Sequence, residues 1–207
     1  MRRDTNDPIS ADPRQWRPQR VDGKGLAARV VNPIAEPIWS GARVLVFFRD
    51  ADRDDEWGTV EVFDEDGEDA LPSARRAFDQ LRRSIVAREA VIDGIVTDQT
   101  VDSGVSMEFD ENRAGLGRDL AFVAIDLLRI DDQPLFDVPL LERKRLLEGL
   151  IVQSPLVRLS PWVTPPIHPW LRTWRSAGFR GAMVKAANSR YVPGSTTIEW
   201  AVVDKNW

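Results

Sequence analysis

The chain has 207 residues, 43% of them hydrophobic, a net charge of −5 and no cysteine. That balance supports one buried core of moderate size, excludes disulfides and cysteine-ligated zinc, and argues against indiscriminate binding of nucleic acid over the whole surface. No apolar run approaches the roughly 20 residues needed to span a bilayer, so no membrane partner is expected.

The first 29 residues are polar, rich in Arg, Asp and Pro, and lack the apolar stretch of a signal peptide. They read as a lead-in (1–29) to a single domain over 30–207 in a cytoplasmic protein. Arg14, Arg17 and Arg20 flank Trp16. This is either a nucleic-acid-binding arm with a stacking aromatic or a solvated tail whose Trp16 tucks onto the domain, and the second reading is favoured. Strands are expected at 43–49 and 59–63, joined by an acidic loop, with a turn at Asp66-Gly67. A helix is expected over 72–88, because Ala77, Phe78, Leu81, Ile85 and Val86 recur at helical spacing. Strands follow at 90–96 and 120–125, separated by a polar loop over 98–118.

A second helix is expected over 140–151, with Leu140, Leu141, Leu147 and Leu150 on one side and Glu142, Arg143 and Lys144 exposed. A strand at 156–159, a short helix near 170–176 and closing strands at 182–186 and 198–203 complete the reading. Helices are interspersed with strands joined by short turns, which indicates an α+β fold with antiparallel sheets. Of the 28 basic residues only Lys24, Lys144, Lys185 and Lys205 are lysines, so lysine-based chemistry has four candidates; arginine does not lose its proton. The one histidine, His168, reads as structural. The eight tryptophans, among them Trp16, Trp57, Trp162, Trp170 and Trp174, either supply an aromatic contact surface or fill the core.

Four segments, in order, resemble the nucleotidyltransferase core of ATP-dependent DNA ligases. Glu36-Pro-Ile-Trp-Ser-Gly-Ala-Arg43 resembles the nucleophile motif Glu-Pro-Lys-x-Asp-Gly-x-Arg. Val91-Ile-Asp-Gly-Ile-Val96 resembles the Leu-Asp-Gly-Glu strand. Phe122-Val-Ala-Ile-Asp-Leu-Leu128, then Pro139 to Leu147, resembles the Phe-Asp-Leu-Leu strand and the Pro-Leu-x-Glu-Arg-Arg helix. Gly178 to Lys185, Ser189-Arg-Tyr-Val-Pro-Gly194 and Trp200 resemble Gly-x-Glu-Gly-Val-Val-x-Lys, Ser-x-Tyr-x-Pro-Gly and Trp-x-Lys. The resemblance implies an ATP-grasp-like core with antiparallel sheets flanked by helices. The family's C-terminal oligonucleotide-binding domain is not expected, since the chain stops at Trp207.

The departures fall on the chemistry. Ile38 stands where the resemblance places the lysine that attacks the α-phosphate of ATP, and an isoleucine has no lone pair to attack with. Ser40 replaces the motif aspartate. Ile95 and Arg180 replace carboxylates that would recruit a divalent metal. Val202 replaces the last lysine, and Asp64-Glu65 stand where the family has a Ser-Arg phosphate contact. Gly41 and Gly94 are read as allowing tight turns, and Asp126, Leu127 and Leu128 as structural. A pocket remnant is implied at Glu36, Ile38, Ser40, Arg43, Phe122 and Lys185, with Phe122 matching the aromatic that stacks on adenine. For Arg43 and Lys185 the reading as members of structural ion pairs is favoured, and Phe122 is equally readable as core.

The expected function is therefore a catalytically inactive relative of the ligases, a binding or scaffold domain in a DNA-repair setting, with DNA or an unidentified protein as partner. No catalytic residue, metal site or cofactor is expected; ATP or AMP and Mg belong only to a chain that retains activity. Two alternatives stay open. One is a nucleotide sensor with weak binding in the remnant pocket, and the other is a true nucleotidyltransferase using a relocated lysine, Lys185 or Lys24.

Overall fold

The computed structural model describes residues 15–22, 27–51, 58–70, 74–98 and 120–203. The fold is α+β, as the interspersed pattern indicates. Its largest sheet contains β3 (Ala42–Arg49), β4 (Thr59–Asp64), β5 (Glu89–Thr97), β6 (Ala121–Ile130) and β7 (Gln133–Pro134). They run antiparallel in the order β4-β3-β5-β6-β7, and β8 (Val157–Leu159) pairs parallel with β6. A second antiparallel sheet has the order β11-β9-β2, from β11 (Trp200–Val203), β9 (Ala182–Ala186) and β2 (Pro33–Pro37). A short parallel ladder joins β1 (Arg20–Val21) to β10 (Thr196–Thr197). The helices are α1 (Arg75–Ser84), α2 (Leu140–Leu150) and α3 (His168–Ser176).

The strand period of two explains the layering. On β3, Val44, Val46 and Phe48 point to a core shared with Phe78 and Leu81 of α1 and Leu147 and Leu150 of α2. The alternate residues Leu45 and Phe47 face a second cluster with Trp16, Leu128, Tyr191 and Trp200. Both faces are covered, so β3 reads as a continuous apolar run. A third cluster, with Trp39, Val123, Trp174 and Phe179, lies against the smaller sheet.

Several expectations are refined. Helix α1 is shorter than 72–88: Ile85 is already extended, bridging to Ile151, and Val86 is exposed. Strand β2 was not expected, because prolines at both of its ends disguise it; proline is tolerated where no ladder N–H is required. Arg143 and Lys144 on α2 are buried, not exposed. Gly94 serves mid-strand rather than in a turn: a Cβ there would lie 2.3 Å from the Phe122 ring. Gly41 does need its freedom, with φ +148° and a built Cβ only 2.1 Å from the Val96 carbonyl oxygen. The loop expected over 98–118 lies almost wholly outside the described residues, as do Lys24, Trp57 and Lys205.

Residues 15–22 of the lead-in are packed on the domain. Trp16 is buried against Phe47 and Phe136, each 5.5 Å away between ring centroids. The backbone N–H groups of Arg20 and Asp22 donate to the carbonyls of Ser195 and Thr197, both at 2.8 Å. Tucking of Trp16 onto the domain is thus what the structure shows. Of the other tryptophans, Trp39, Trp174 and Trp200 are buried, while Trp170 is exposed.

Candidate functional site

A cleft of about 380 Å³ opens between the smaller sheet and the central strands β3, β5 and β6 of the larger one. Strand β2 brings Glu36 and Pro37 to it, and the chain just beyond adds Ile38 and Trp39. Arg43 enters from β3, Ile95 from β5, Ile125 from β6, Met183 and Lys185 from β9, and Trp200 from β11. Arg20 and Val21 of the docked N-terminal segment form one rim, with Glu65 beside them.

The ionised groups under the cleft are bound to one another. Glu36 is 2% exposed, and its Oε1 lies 2.9 Å from Lys144 Nζ and 3.3 Å from Lys185 Nζ. These are ion pairs by distance, without the alignment of hydrogen bonds. Lys144 also donates to the Ile125 carbonyl, and Lys185 Nζ sits 4.6 Å from the centroid of the Trp200 ring. Burial lowers the pKa of the Lys185 amine below the usual lysine range; Glu36 opposes that shift and Lys144 adds to it.

Arg43 donates in bidentate fashion to Asp93, 3.0 Å from Nε and 2.6 Å from Nη2. Burial pulls the guanidinium pKa down, but the Asp93 carboxylate outweighs it and holds the group above the usual arginine value. Tyr191 donates its hydroxyl to the same carboxylate at 2.7 Å. Burial, then the charge of Asp93, pushes this phenol well above its ordinary value. Alongside, Arg143 donates to both oxygens of Asp126, at 2.8 and 2.7 Å. Burial raises the Asp126 pKa, yet Arg143 overrides it, so this carboxyl stays below the ordinary carboxylate range.

Of the residues singled out from sequence, Glu36, Ile38, Arg43, Ile95 and Lys185 come together at the cleft. Ser40 does not line it; its carbonyl accepts from the Thr97 hydroxyl at 2.5 Å. Arg180 is exposed and likewise absent from the lining. Phe122 is fully buried on the opposite side of β6, 5.6 Å from Phe78 between ring centroids. The β6 residue that borders the cleft is Ile125. The register explains this: Phe-Asp-Leu-Leu matches Ile125-Asp126-Leu127-Leu128, so the aromatic just ahead of the aspartate falls on Ile125. Asp64 turns its carboxylate inward on its own turn, where Oδ1 accepts from the N–H groups of Asp66, Gly67 and Glu68. Sequence reasoning placed Lys144 on an exposed helix face and passed over Ile125 and Met183; only the alternation of β6 and β9 could have pointed to the last two. Among the described residues, no group of three or more His, Cys, Asp or Glu is placed to hold a metal ion.

This arrangement of two sheets around a cleft is the nucleotidyltransferase core of a ligase. The ligase domain of M. tuberculosis LigD superposes with a TM-score of 0.69 at 21% identity, covering 94% of this chain and 61% of that one. A mycobacterial DNA ligase D complexed with ATP and MES gives 0.71 at 24% identity, covering 95% and 62%. The family model described as ATP dependent DNA ligase domain matches residues 32–203, and the chain belongs to that family. Among relatives, the DNA ligase of Methanothrix thermoacetophila is 28% identical over 157 residues, which is 69% of this chain and 28% of that protein. The Mycobacterium tuberculosis multifunctional non-homologous end joining DNA repair protein LigD is 29% identical over 179 residues, 82% of this chain and 21% of that protein. The chain thus spans under a third of these relatives' length. No helix among the described residues is long and apolar enough to cross a membrane.

Proposed function

We propose that this ligase-family domain forms no lysyl-AMP and serves as a binding or scaffold domain in a cytoplasmic DNA-repair setting, with DNA or a protein as its partner. The observation that carries the reading is Ile38, which borders the cleft at the position matching the nucleophilic lysine and cannot attack phosphorus. Ile95 supports it, since a hydrocarbon borders the cleft where a metal-binding carboxylate is matched. Among the described residues the lysines at the cleft and beneath it, Lys185 and Lys144, are both engaged by Glu36. The repair setting is carried over from relatives such as LigD.

Intact-mass spectrometry after incubation with ATP and Mg²⁺ or Mn²⁺, beside an active ligase, tests the reading. The expected result is an unchanged mass. A gain of one AMP would sink it.

One observation favours a second reading, a nucleotidyltransferase with a relocated nucleophile. Lys185 borders the cleft, and burial lowers its amine pKa, which favours the unprotonated form an attack requires. On this reading the wild-type chain gains one AMP and the Lys185→Met variant does not.

A further inference from the structure

The cleft is built against charge. Val21, Ile38, Ile95, Ile125 and Met183 give it hydrocarbon walls, and the indoles of Trp39 and Trp200 border it. Among the described residues three cations line it, and each is already held within the chain: Arg20 by Glu65 at 3.5 Å, Arg43 by Asp93 and Lys185 by Glu36. Arg43 and Lys185 are also largely covered, with side chains 17% and 4% exposed. A phosphate drawing on Arg43 would strip the buried Asp93 carboxylate of its bidentate partner in a dry site. An uncharged ligand carries no such cost and gains from every apolar atom it covers. The volume lies at the lower end of the range for ligand pockets and suits a compact ring compound. Flat rings fit best, because indole faces and edges reward aromatic contact beyond the area they bury.

We propose that this cleft binds an uncharged, flat, largely apolar ring compound and rejects nucleoside phosphates. The proposal rests on the non-catalytic reading of the domain and names the ligand class of the same site.

The probe is N-phenyl-1-naphthylamine, an uncharged aromatic whose fluorescence rises when it leaves water. Titration into the wild-type chain is expected to saturate at one site, with an affinity insensitive to salt and to added ATP or AMP. Placing a polar amide in the wall, as Ile38→Asn or Ile95→Gln, is expected to weaken binding by about tenfold, since an unpaired amide is costly in an apolar site. Two variants on different strands guard against one failing to fold, and circular dichroism checks both. Binding that does not saturate, displacement of the probe by ATP, or wild-type affinity in both folded variants would overturn the proposal. Intact mass after ATP and Mg²⁺, read on the same sample, separates the two readings. A gain of one AMP overturns the non-catalytic reading and this proposal with it. An unchanged mass with no probe binding overturns the proposal alone.

Discussion

On the helix-covered face of the large sheet, Val44, Val46, Ile92, Phe122 and Leu127 pack against Phe78, Leu81, Leu147 and Leu150. Under the cleft, where β2, β5, β6, β9 and α2 meet, the buried groups include Glu36, Asp93, Asp126, Arg143, Lys144 and Lys185. Both regions are closed to water. The first is held by non-directional apolar burial, which tolerates exchange of similar volumes. The second is held by paired charges, which lose heavily if one member is removed while the other stays. The comparison teaches that one fold uses two kinds of interior, an apolar layer under the helices and, beneath the hydrocarbon of Ile38, Ile95 and Ile125, a charged floor neutralised from within.

The largest expected effect breaks the charged region. Arg143→Met leaves Asp126 buried without its bidentate partner and should cost about 3–5 kcal/mol in urea unfolding. A loss below about 1 kcal/mol would show that the junction is not held by this pair. The pair also sets a pH dependence. The Asp126 carboxyl is depressed in the folded chain, so its stabilisation is complete above the ordinary carboxylate value of about 4 and is lost as pH falls through the lower folded value. The acid limb of a stability–pH curve should flatten in Arg143→Met.

The apolar layer is probed at its tightest point. Gly94→Ala drives a methyl group into the Phe122 ring and should cost about 1–3 kcal/mol. Combining it with Phe122→Leu should recover part of that loss; strict additivity of the two changes would mean that the contact does not exclude side chains at 94.

The smallest effect has the opposite sign. Lys185→Met removes the second of two cations crowding Glu36 and leaves Lys144 as its partner. A gain of about 1 kcal/mol is expected at neutral pH. The folded chain holds the Lys185 proton less tightly than the unfolded chain, so the cost of the wild-type lysine is present at neutral pH and fades as pH rises toward the ordinary lysine value of about 10.4. Thermal melts at neutral and alkaline pH should therefore converge for the two proteins. Destabilisation by this substitution would show that Lys185 contributes to the junction.

Much of this was legible in the chain. The β3 run, the 3.6-residue spacing in α2 and the order of four motif-like segments led to the strands, the helices and the family. Glu36, Ile38, Ser40, Arg43, Phe122 and Lys185 were marked as one pocket; the cleft gathers Glu36, Ile38, Arg43 and Lys185, with Ile95 beside them, and leaves out Ser40 and Phe122. Phe122 was not separable from Ile125, because neighbouring apolar residues on a strand point to opposite faces and only the register decides which one meets the cleft. Arg143 and Lys144 looked like a solvated helix face, since their partners Asp126 and Glu36 lie 17 and 108 residues away in sequence.

The sequence by itself determined the α+β architecture and an isoleucine at position 38, since hydrophobic period and side-chain chemistry are local properties. Only the tertiary structure decided that Trp16 anchors the N-terminal segment at the cleft's edge and that Arg43 and Lys185 are spent on Asp93 and Glu36. Pairing of buried charges depends on which distant groups share one dry space, and folding alone brings them there.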